Sequence, residues 1–240
     1  MTRRRPPAGD SEIDAALDER APARSFFLQP TLRVARALLG MVLVHDAPEG
    51  RTAGRIVEVE AYRGPGDRAA HTWNGRRTPR NEVMWGAPGH AYVYFVYGMH
   101  WCVNVTTQEA GVPEAVLIRA LEPLVGLDRM RARRGLPATA PDWRLCRGPG
   151  ALCQALGIGR TQNGADLRAG PLRLLDGTPV PARAVARTPR IGVGYAGAHA
   201  VLPWRFALRE SRAVSGPRLA AAATQRRRRA DAVAARRTSR

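Results

Sequence analysis

The chain has 240 residues, a formal charge of +18 and 45% hydrophobic residues, which is enough apolar material for one well-packed domain with tails. No apolar run approaches the roughly 18 residues that a membrane helix needs, and the charged N-terminus lacks the apolar stretch of a secretory signal, so neither a membrane protein nor a secreted protein is expected. The basic charge predicts attraction to polyanions such as nucleic acids, because neutralised phosphates release counterions.

The N-terminal part of the chain predicts a leader, a helix and two strands. Residues 1–24 are rich in Arg, Pro, Asp and Ala without a sustained apolar pattern, which is typical of a mostly disordered segment. Pro30 is expected to open a helix that ends before Gly40, and a strand is expected at residues 41–45. In residues 55–61 (RIVEVEA), the glutamates at 58 and 60 alternate with the apolar residues at 57, 59 and 61, which predicts a second strand with two different faces.

The middle of the chain predicts a loop and a hairpin. Residues 64–80 are polar and rich in Gly, Pro and Arg, which predicts a long loop, and long loops in compact domains are often functional. Residues 91–96 and 101–107 are rich in aromatic and apolar residues and predict two strands. The turn between them is expected around residues 97–100, where Gly98 supplies the backbone freedom that a tight turn needs.

The C-terminal half predicts one more long strand, two helices and several short strands. The long strand is expected at residues 114–121, one helix from Pro123 to Gly135, and another from Pro149 to Gly157. Short strands are expected at residues 171–175, 190–195 and 203–209. Strands and helices do not alternate strictly, which favours an α+β fold over a doubly wound one.

The C-terminal tail is strongly basic. Residues 217–240 contain eight arginines and one aspartate, and without them the chain still carries a charge near +11. The basic character therefore does not depend on the tail. We predict a basic and polar leader at residues 1–24, one folded domain at residues 25–215, and a disordered tail rich in Arg and Ala at residues 216–240.

Lysine is absent from the sequence, and all 38 basic residues are arginine. Since no lysine amine can form a Schiff base, a base-removing reaction would need water as the nucleophile. The three cysteines, Cys102, Cys146 and Cys153, lack the spacing of metal ligands and are expected to be buried free thiols, which suits a reducing cytoplasm. We expect no metal site and no cofactor.

Glu60 is the main candidate for a catalytic residue. It lies near the end of the strand predicted at residues 55–61, on the same face as Glu58 and Tyr62. A glutamate beside a tyrosine in a partly apolar site can have an intermediate pKa and deprotonate water. The simpler interpretation, a solvated glutamate on a strand face, would be preferred for an arbitrary glutamate, but the aromatic residues nearby favour the catalytic one.

Aromatic residues suggest a site for a nucleic-acid base. Tyr62, His71 and Tyr94 can form the walls of a base pocket, since flat rings stack on any base and electron-rich faces favour a cationic one. Core packing for Tyr94 and a backbone hydrogen bond for His71 remain alternatives. Tyr97, at the tip of the hairpin, can fill the gap that an extruded nucleotide leaves, or can fold back onto the sheet.

Two polar residues interrupt apolar strands. Asn104 is flanked by apolar residues, and a buried amide must be satisfied or used for selection. Arg119 is flanked in the same way, and a buried arginine needs a carboxylate partner, for which Glu60 is the natural candidate. A carboxylate, aromatic residues and an exposed tyrosine on a basic protein suggest chemistry on a base taken out of a duplex.

Four long segments carry a resemblance to a known family. They read RIVEVEAYRGPGDRAAH (55–71), TPRNEVMWGAPGHAYVYFVYGMHWCVN (78–104), VLIRALEPL (116–124) and LCRGPGALCQALGI (145–158), and IGVGYAG (191–197) is a weaker match. The sequence resembles the alkyladenine (3-methyladenine) DNA glycosylase family in its bacterial form, from about residue 26 to about residue 209. The expected fold is a single compact α+β domain with a curved, mainly antiparallel β-sheet, flanking helices and a protruding β-hairpin.

The resemblance implies roles for the candidate residues. Glu60 matches the general base that activates water to attack the deoxyribose C1′, and Arg119 matches the arginine that helps to hold this water. Tyr62, His71 and Tyr94 match the aromatic pocket around the flipped base, and the backbone amide of His71 is implied in reading the base edge.

Three further positions are interpreted through the same resemblance. Tyr97 matches the tyrosine that intercalates from the minor groove. Asn104 matches the residue whose amide clashes with the 2-amino group of normal guanine and excludes it. Tyr195 stands where many relatives are expected to have histidine, so it receives no role.

The expected activity is that of a monofunctional DNA glycosylase in base excision repair. It would hydrolyse the N-glycosidic bond of alkylated or deaminated purines in duplex DNA, by base flipping and a water activated by glutamate. The expected partner is duplex DNA that contains damaged purines, bound by a monomeric cytoplasmic enzyme that associates with the nucleoid. A non-catalytic nucleic-acid binding module and a hydrolase of free nucleosides or of a modified RNA base remain the alternatives.

Overall fold

The computed structural model describes Leu17 and residues 19–216 of the chain. Most of the predicted leader and of the predicted tail lies outside the described residues, so the three proposed segments stay a prediction. Within the described residues, the secondary structure consists of one β-sheet, four α-helices and several short 3-10 turns.

Eight strands form the sheet. They are β1 (Val42–Ala47), β2 (Gly50–Tyr62), β3 (Ala91–Val96), β4 (His100–Thr107), β5 (Glu114–Val125), β6 (Leu172–Leu175), β7 (Val185–Thr188) and β8 (Arg205–Leu208). The order is β3-β4-β5-β2-β1-β6, β8 pairs with both β2 and β7, and every pairing is antiparallel. The predicted α+β domain with a curved antiparallel sheet is confirmed.

Strand β2 organises the sheet because it pairs with three other strands. One edge of β2 pairs with β5, while the other edge pairs with β1 near its start and with β8 at Glu58, Val59 and Glu60. The register with β5 shifts on both sides of Glu58. Irregularities of this kind bend and twist a strand, and they are common next to active sites.

The four helices are α1 (Arg24–Phe27), α2 (Thr31–Leu38), α3 (Leu127–Arg134) and α4 (Pro149–Leu156). Helix α2 packs on β2 and β5, and α4 packs on β4 and β5. Helix α4 begins and ends as predicted, with Pro149 in its first turn and Gly157 in the left-handed region (φ 71°) after its last residue. Its buried residues join one large apolar core with the inner face of the sheet.

The predicted helix start at Pro123 is wrong, because β5 continues through Val125. Pro123 pairs with Gly54 next to a register shift between β2 and β5. A proline cannot donate a backbone hydrogen bond, so it is tolerated where the ladder is irregular. Helix α3 begins only after Gly126, whose positive φ of 76° turns the chain.

The predicted strand at residues 190–195 is also wrong, and strand β7 was missed. Gly192 has a φ of 77°, which breaks an extended segment. The backbone N–H of Ile191 donates to the side chain of Glu60 instead of to a neighbouring strand. The sequence predicts a strand here, but the chain turns at Gly192 and its backbone binds a distant carboxylate.

The three cysteines are buried free thiols, as predicted. Burial raises the pKa of Cys146 to about 12, so its thiol stays protonated. Across the part of the chain that the structure describes, no cluster of His, Cys, Asp or Glu has the arrangement of a metal site. In the same part of the chain, no helix has the length and apolar character needed to cross a membrane.

Candidate active site

The hairpin of β3 and β4 carries Tyr97 at its tip. Both Tyr97 (φ 54°) and Gly98 (φ 67°) have left-handed backbone conformations, and the N–H of Met99 donates to the carbonyl of Val96 at 3.2 Å. Two such residues in a row match the twist of the flanking strands. Tyr97 is 80% exposed, so it does not fold back onto the sheet. A bulky residue in this conformation is unusual and is a reason to look for function.

A cavity of about 300 Å³ opens beside this hairpin. This volume is at the lower end of the range for small-molecule sites. Its walls include six of the seven site residues predicted from the sequence, namely Tyr62, His71, Tyr94, Tyr97, Asn104 and Arg119. The structure therefore brings together residues from β2, β3, β4, β5 and the loop after β2.

Glu60, the seventh predicted site residue, lies behind the wall of this cavity. Its carboxylate is fully buried and does not line the cavity itself. One oxygen accepts hydrogen bonds from the hydroxyl of Tyr62 at 2.9 Å and from Nη1 of Arg119 at 3.2 Å. The other oxygen accepts from the backbone N–H of Ile191 at 2.7 Å. All three partners line the cavity, and the predicted ion pair between Arg119 and Glu60 is present.

The environment of Glu60 favours a basic carboxylate. Burial raises the pKa of Glu60 above its ordinary value of 4.5, and the charge of Arg119 and the two other hydrogen bonds only partly offset this. Burial and the Glu60 charge also raise the pKa of Tyr62 well above 10.0, so the Tyr62 hydroxyl stays protonated and donates. A buried carboxylate with a raised pKa is a common feature of acid–base catalysis.

The aromatic walls contact one another through ring edges and hydrogen bonds. The rings of His71 and Tyr94 meet edge to face, with centroids 4.6 Å apart at 73°. Nδ1 of His71 lies 2.7 Å from the hydroxyl of Tyr92, a buried residue that the sequence reasoning missed. Burial lowers the pKa of His71 to about 4, so its imidazole is neutral at physiological pH. His71 therefore contributes a neutral imidazole to the cavity wall.

Asn104 projects from β4 into the same cavity. Its side-chain amide nitrogen donates to the backbone carbonyl of Tyr92 at 3.0 Å, which fixes the side chain across the β3–β4 pairing. The residue is buried, as predicted. Tyr195 also borders the cavity, where it is 69% exposed and its hydroxyl lies 3.4 Å from the carbonyl of Ala69.

Arg190 and Asp67 form a buried ion pair that the sequence reasoning missed. Two nitrogens of Arg190 donate to the two Asp67 oxygens at 2.5 and 2.9 Å, and both side chains are fully buried. The guanidinium lies over the rings of Tyr62 (4.8 Å) and Trp204 (5.0 Å). Asp67 also accepts from the N–H of Ala69, so the pair joins the loop before His71 to the segment at Ile191.

Comparisons with known proteins identify the class of this enzyme. A model of the methylpurine-DNA glycosylase (MPG) family matches residues 25–212. A relative from Methanocella arvoryzae is 50% identical over 193 residues, covering 80% of this chain and 94% of the relative. Relatives from Burkholderia orbicola (52% over 196 residues, 80% and 90% covered) and Desulfitobacterium hafniense (45% over 197 residues, 80% and 97% covered) are similar. All three are provisionally named 3-methyladenine DNA glycosylases.

The match over most of the folded domain defines a DNA glycosylase, an N-glycosyl hydrolase of base excision repair that acts on DNA. The chain belongs to the methylpurine-DNA glycosylase family. The resemblance noted from the sequence motifs is therefore confirmed, as is the expected enzyme class.

Proposed function

We propose that the enzyme flips alkylated or deaminated purines out of duplex DNA and hydrolyses their N-glycosidic bond with a water activated by Glu60. The observation that carries this proposal is the position of the Glu60 carboxylate, which is buried and bound by three residues of the aromatic-walled cavity beside the exposed hairpin. A carboxylate has about four acceptor positions. Three are occupied in this structure, where the carboxylate is closed off from solvent, so the proposal requires a water to reach the fourth position when DNA binds.

The proposed reaction needs a base and charge stabilisation. The oxygen of the water bonds to the deoxyribose C1′, the C1′–N bond breaks with its electron pair on the purine, and the proton of the water passes to Glu60. A purine alkylated at N3 or N7 is cationic and departs neutral, whereas a deaminated purine departs as an anion and takes up a proton from solvent water. The negative charge of Glu60 stabilises the positive charge that develops on the sugar. The product is a DNA strand that is uncut at the abasic position.

Stacking on the aromatic walls is expected to hold the flipped base. Arg190 already covers one face of Tyr62, and Arg80 lies 5.2 Å from the centre of the Tyr94 ring. These guanidinium groups reduce the attraction of the rings for a further cation, so stacking contributes more to base binding than cation–π attraction does. Deaminated, neutral purines therefore remain compatible with this pocket.

Several features of the surface suit duplex DNA. A second cavity of about 290 Å³ shares His71 with the first and is lined by Arg68, Arg76 and Arg80. Arginines at this position can bind the phosphates beside an extruded nucleotide. We propose that Tyr97 fills the gap in the duplex and that Asn104 excludes normal guanine. The monomeric state, the cytoplasmic location and the association with the nucleoid stay predictions.

Base release from defined duplexes tests the proposal. Duplexes with one 3-methyladenine, 7-methylguanine, hypoxanthine or ethenoadenine are incubated with the enzyme, and the free base and the abasic site are measured. We expect release from at least one duplex, little release from the corresponding free nucleoside, and no covalent adduct after borohydride treatment. Equal activity on nucleosides would favour the alternative hydrolase, and a trapped adduct would contradict water as the nucleophile.

The raised pKa of Glu60 predicts the acidic limb of the pH–rate profile. Glu60 must be deprotonated to accept a proton, so the single-turnover rate is expected to fall as the pH drops through a pKa above 4.5. His71 is neutral above pH about 4, so its titration adds no step near neutral pH. The measurement uses a substrate whose lesion does not titrate in this range. If the midpoint of the acidic limb lies at or below pH 4.5, Glu60 is not the general base.

Tyr97→Ala is expected to weaken binding to lesion duplexes by about 1–3 kcal/mol, the usual contribution of one stacked ring. The chemical step on a bound, flipped nucleotide is expected to change less, because Tyr97 lies at the mouth of the cavity. Fluorescence of 2-aminopurine beside the lesion measures flipping, and titration at fixed salt measures Kd. Tyr97→Phe is the matched control and should behave like the wild type. Unchanged flipping in Tyr97→Ala would rule out intercalation.

A further inference from the structure

A second buried carboxylate lies next to Glu60 on the same strand. Glu58 is fully buried and is not used in the reaction proposed above. Its first oxygen accepts hydrogen bonds from Nε of Arg119 at 3.0 Å and from Nε of Arg205 at 2.7 Å. Two carboxylates and two guanidinium groups therefore form one closely packed cluster behind the cavity.

Arg119 is shared between three acceptors. Its Nε binds Glu58 at 3.0 Å, its Nη1 binds Glu60 at 3.2 Å, and its Nη2 binds the hydroxyl of Ser215 at 3.2 Å. An arginine that meets a single carboxylate commonly forms a bidentate pair with two parallel hydrogen bonds. Here only one nitrogen reaches Glu60, because the other two are held by different groups.

Ser215 connects this cluster to the C-terminal end of the described chain. Its backbone N–H donates to the second oxygen of Glu58 at 2.6 Å, and its hydroxyl donates to the first oxygen at 2.9 Å. The carbonyl of Ser215 accepts from Nη2 of Arg205 at 2.8 Å. Ser215 thus contacts both arginines and Glu58, although it lies 157 positions after Glu58 in the sequence.

We propose that Glu58 and Ser215 are positioning residues of the glycosylase reaction, which hold Arg119 so that a single nitrogen binds Glu60. This inference rests on the proposed role of Glu60 as the base. By occupying Nε and Nη2, the two residues prevent Arg119 from closing a bidentate pair around the Glu60 carboxylate. An acceptor position on Glu60 stays open for water, and the attraction of Arg119 is divided between two carboxylates.

The charges around Glu60 agree with the sharing of Arg119 between two carboxylates. The charge of Glu58 raises the pKa of Glu60, in opposition to Arg119. The titratable and charged groups that face Glu60 from the surrounding elements are Glu58 and Tyr62 on β2, Tyr94 on β3, Cys102 on β4, Arg119 on β5, Arg205 on β8, Arg190 before Ile191, and Tyr195 after it. Among them, Glu58 is the other carboxylate that shares a hydrogen-bonded arginine with Glu60.

Ser215→Ala tests the positioning role, with Ser211→Ala as the matched control. Ser211 belongs to the same segment, and its hydroxyl donates to Glu122 at 2.5 Å, away from Arg119. We expect Ser215→Ala to lower the single-turnover rate about tenfold, as the loss of a hydrogen bond to a charged group does, with lesion-duplex Kd unchanged. Ser215→Thr, which keeps the hydroxyl, should restore the rate. Equal rates in Ser215→Ala and Ser211→Ala would overturn the proposal.

A readout without substrate separates this inference from the proposed function. In ¹⁵N NMR spectra, slow rotation of a clamped guanidinium gives separate Nη signals, and Arg119→Lys assigns them. We expect separate signals for Arg119 in the wild type and in Ser211→Ala, and averaged signals in Ser215→Ala. If the wild type releases no base but shows separate Arg119 signals, the proposed function is wrong, while the fixed position of Arg119 is supported. Averaged Arg119 signals in the wild type would contradict the proposal that Glu58 and Ser215 hold Arg119 in place.

Glu58→Gln tests the division of charge. Without the second carboxylate, Arg119 attracts Glu60 alone, so the acidic limb of the pH–rate profile is expected to move to lower pH. An unmoved limb, or one moved to higher pH, would contradict the sharing of Arg119. Should Glu58→Gln fail to fold because two buried arginines lose a partner, the comparison of Ser215→Ala with Ser215→Thr decides the question.

Discussion

Glu60→Gln is expected to lower the rate of base release by about 10²–10⁴-fold, the usual contribution of a general base. Glutamine has the same shape and can still accept the hydrogen bond from the N–H of Ile191, but it cannot take a proton from water. Binding to lesion duplexes is expected to persist, because the stacking walls and Tyr97 are untouched. Single-turnover assays and a binding titration on the same duplex measure the two effects separately.

Glu122→Gln is the control for this variant. Glu122 lies on β5 and pairs with Arg55, and it does not line the cavity that holds the predicted site. Its replacement also removes one carboxylate from an ion pair, so a general effect of lost charge would appear in both variants. Near-normal turnover in Glu60→Gln would end the proposed mechanism, whatever the control does.

Arg190→Leu is expected to lower the free energy of unfolding by about 3–5 kcal/mol, because it leaves the fully buried Asp67 carboxylate without its partner. The two strong hydrogen bonds to Asp67 disappear, and so do the contacts with the rings of Tyr62 and Trp204. Denaturant unfolding at pH 7 measures the loss. Arg187→Leu is the control, since Arg187 is exposed and contacts a single ring, that of Phe206.

The loss in Arg190→Leu should depend on pH. Burial opposes ionisation of Asp67, but Arg190 and two backbone amides hold the Asp67 pKa below 3.8. In the wild type, this contribution to stability is present above the unfolded pKa and is lost as the pH falls through the lower folded pKa. Without Arg190, burial raises the Asp67 pKa, and protonation relieves the buried charge. The difference in unfolding free energy between the wild type and Arg190→Leu should therefore become smaller at acidic pH. A difference that does not change with pH would mean that the variant loses only packing contacts.

The sequence motifs located most of the candidate site. Polar and aromatic positions in the strand patterns, or in the loop after β2, predict five residues that all line one cavity, namely Tyr62, His71, Tyr94, Asn104 and Arg119. For the four of these residues that lie on strands, alternation fixes the face on which the side chain lies. Their catalytic and binding roles stay proposals until the variants above are measured.

The supporting residues could not be chosen in this way. Glu58 was predicted only to share a strand face with Glu60, Ser215 lies at the edge of the predicted tail, and the Asp67–Arg190 pair joins positions 123 residues apart. Nothing local marks such residues, because their partners are brought close only when β8 and the segment at Ile191 fold against β2. The same contacts explain why residues 190–195 do not form the predicted strand.

Local patterns in the chain were sufficient for the α+β class, for helix α4 with its proline start and glycine end, and for the hairpin that exposes Tyr97. These depend on backbone preferences and on alternation, which act over a few residues. Folding of the whole domain decided the rest. It buried Glu60 behind the cavity wall, divided Arg119 between two carboxylates, and turned the N–H of Ile191 toward Glu60. A buried charge is stable only where partners surround it, and here most of those partners are distant in the sequence.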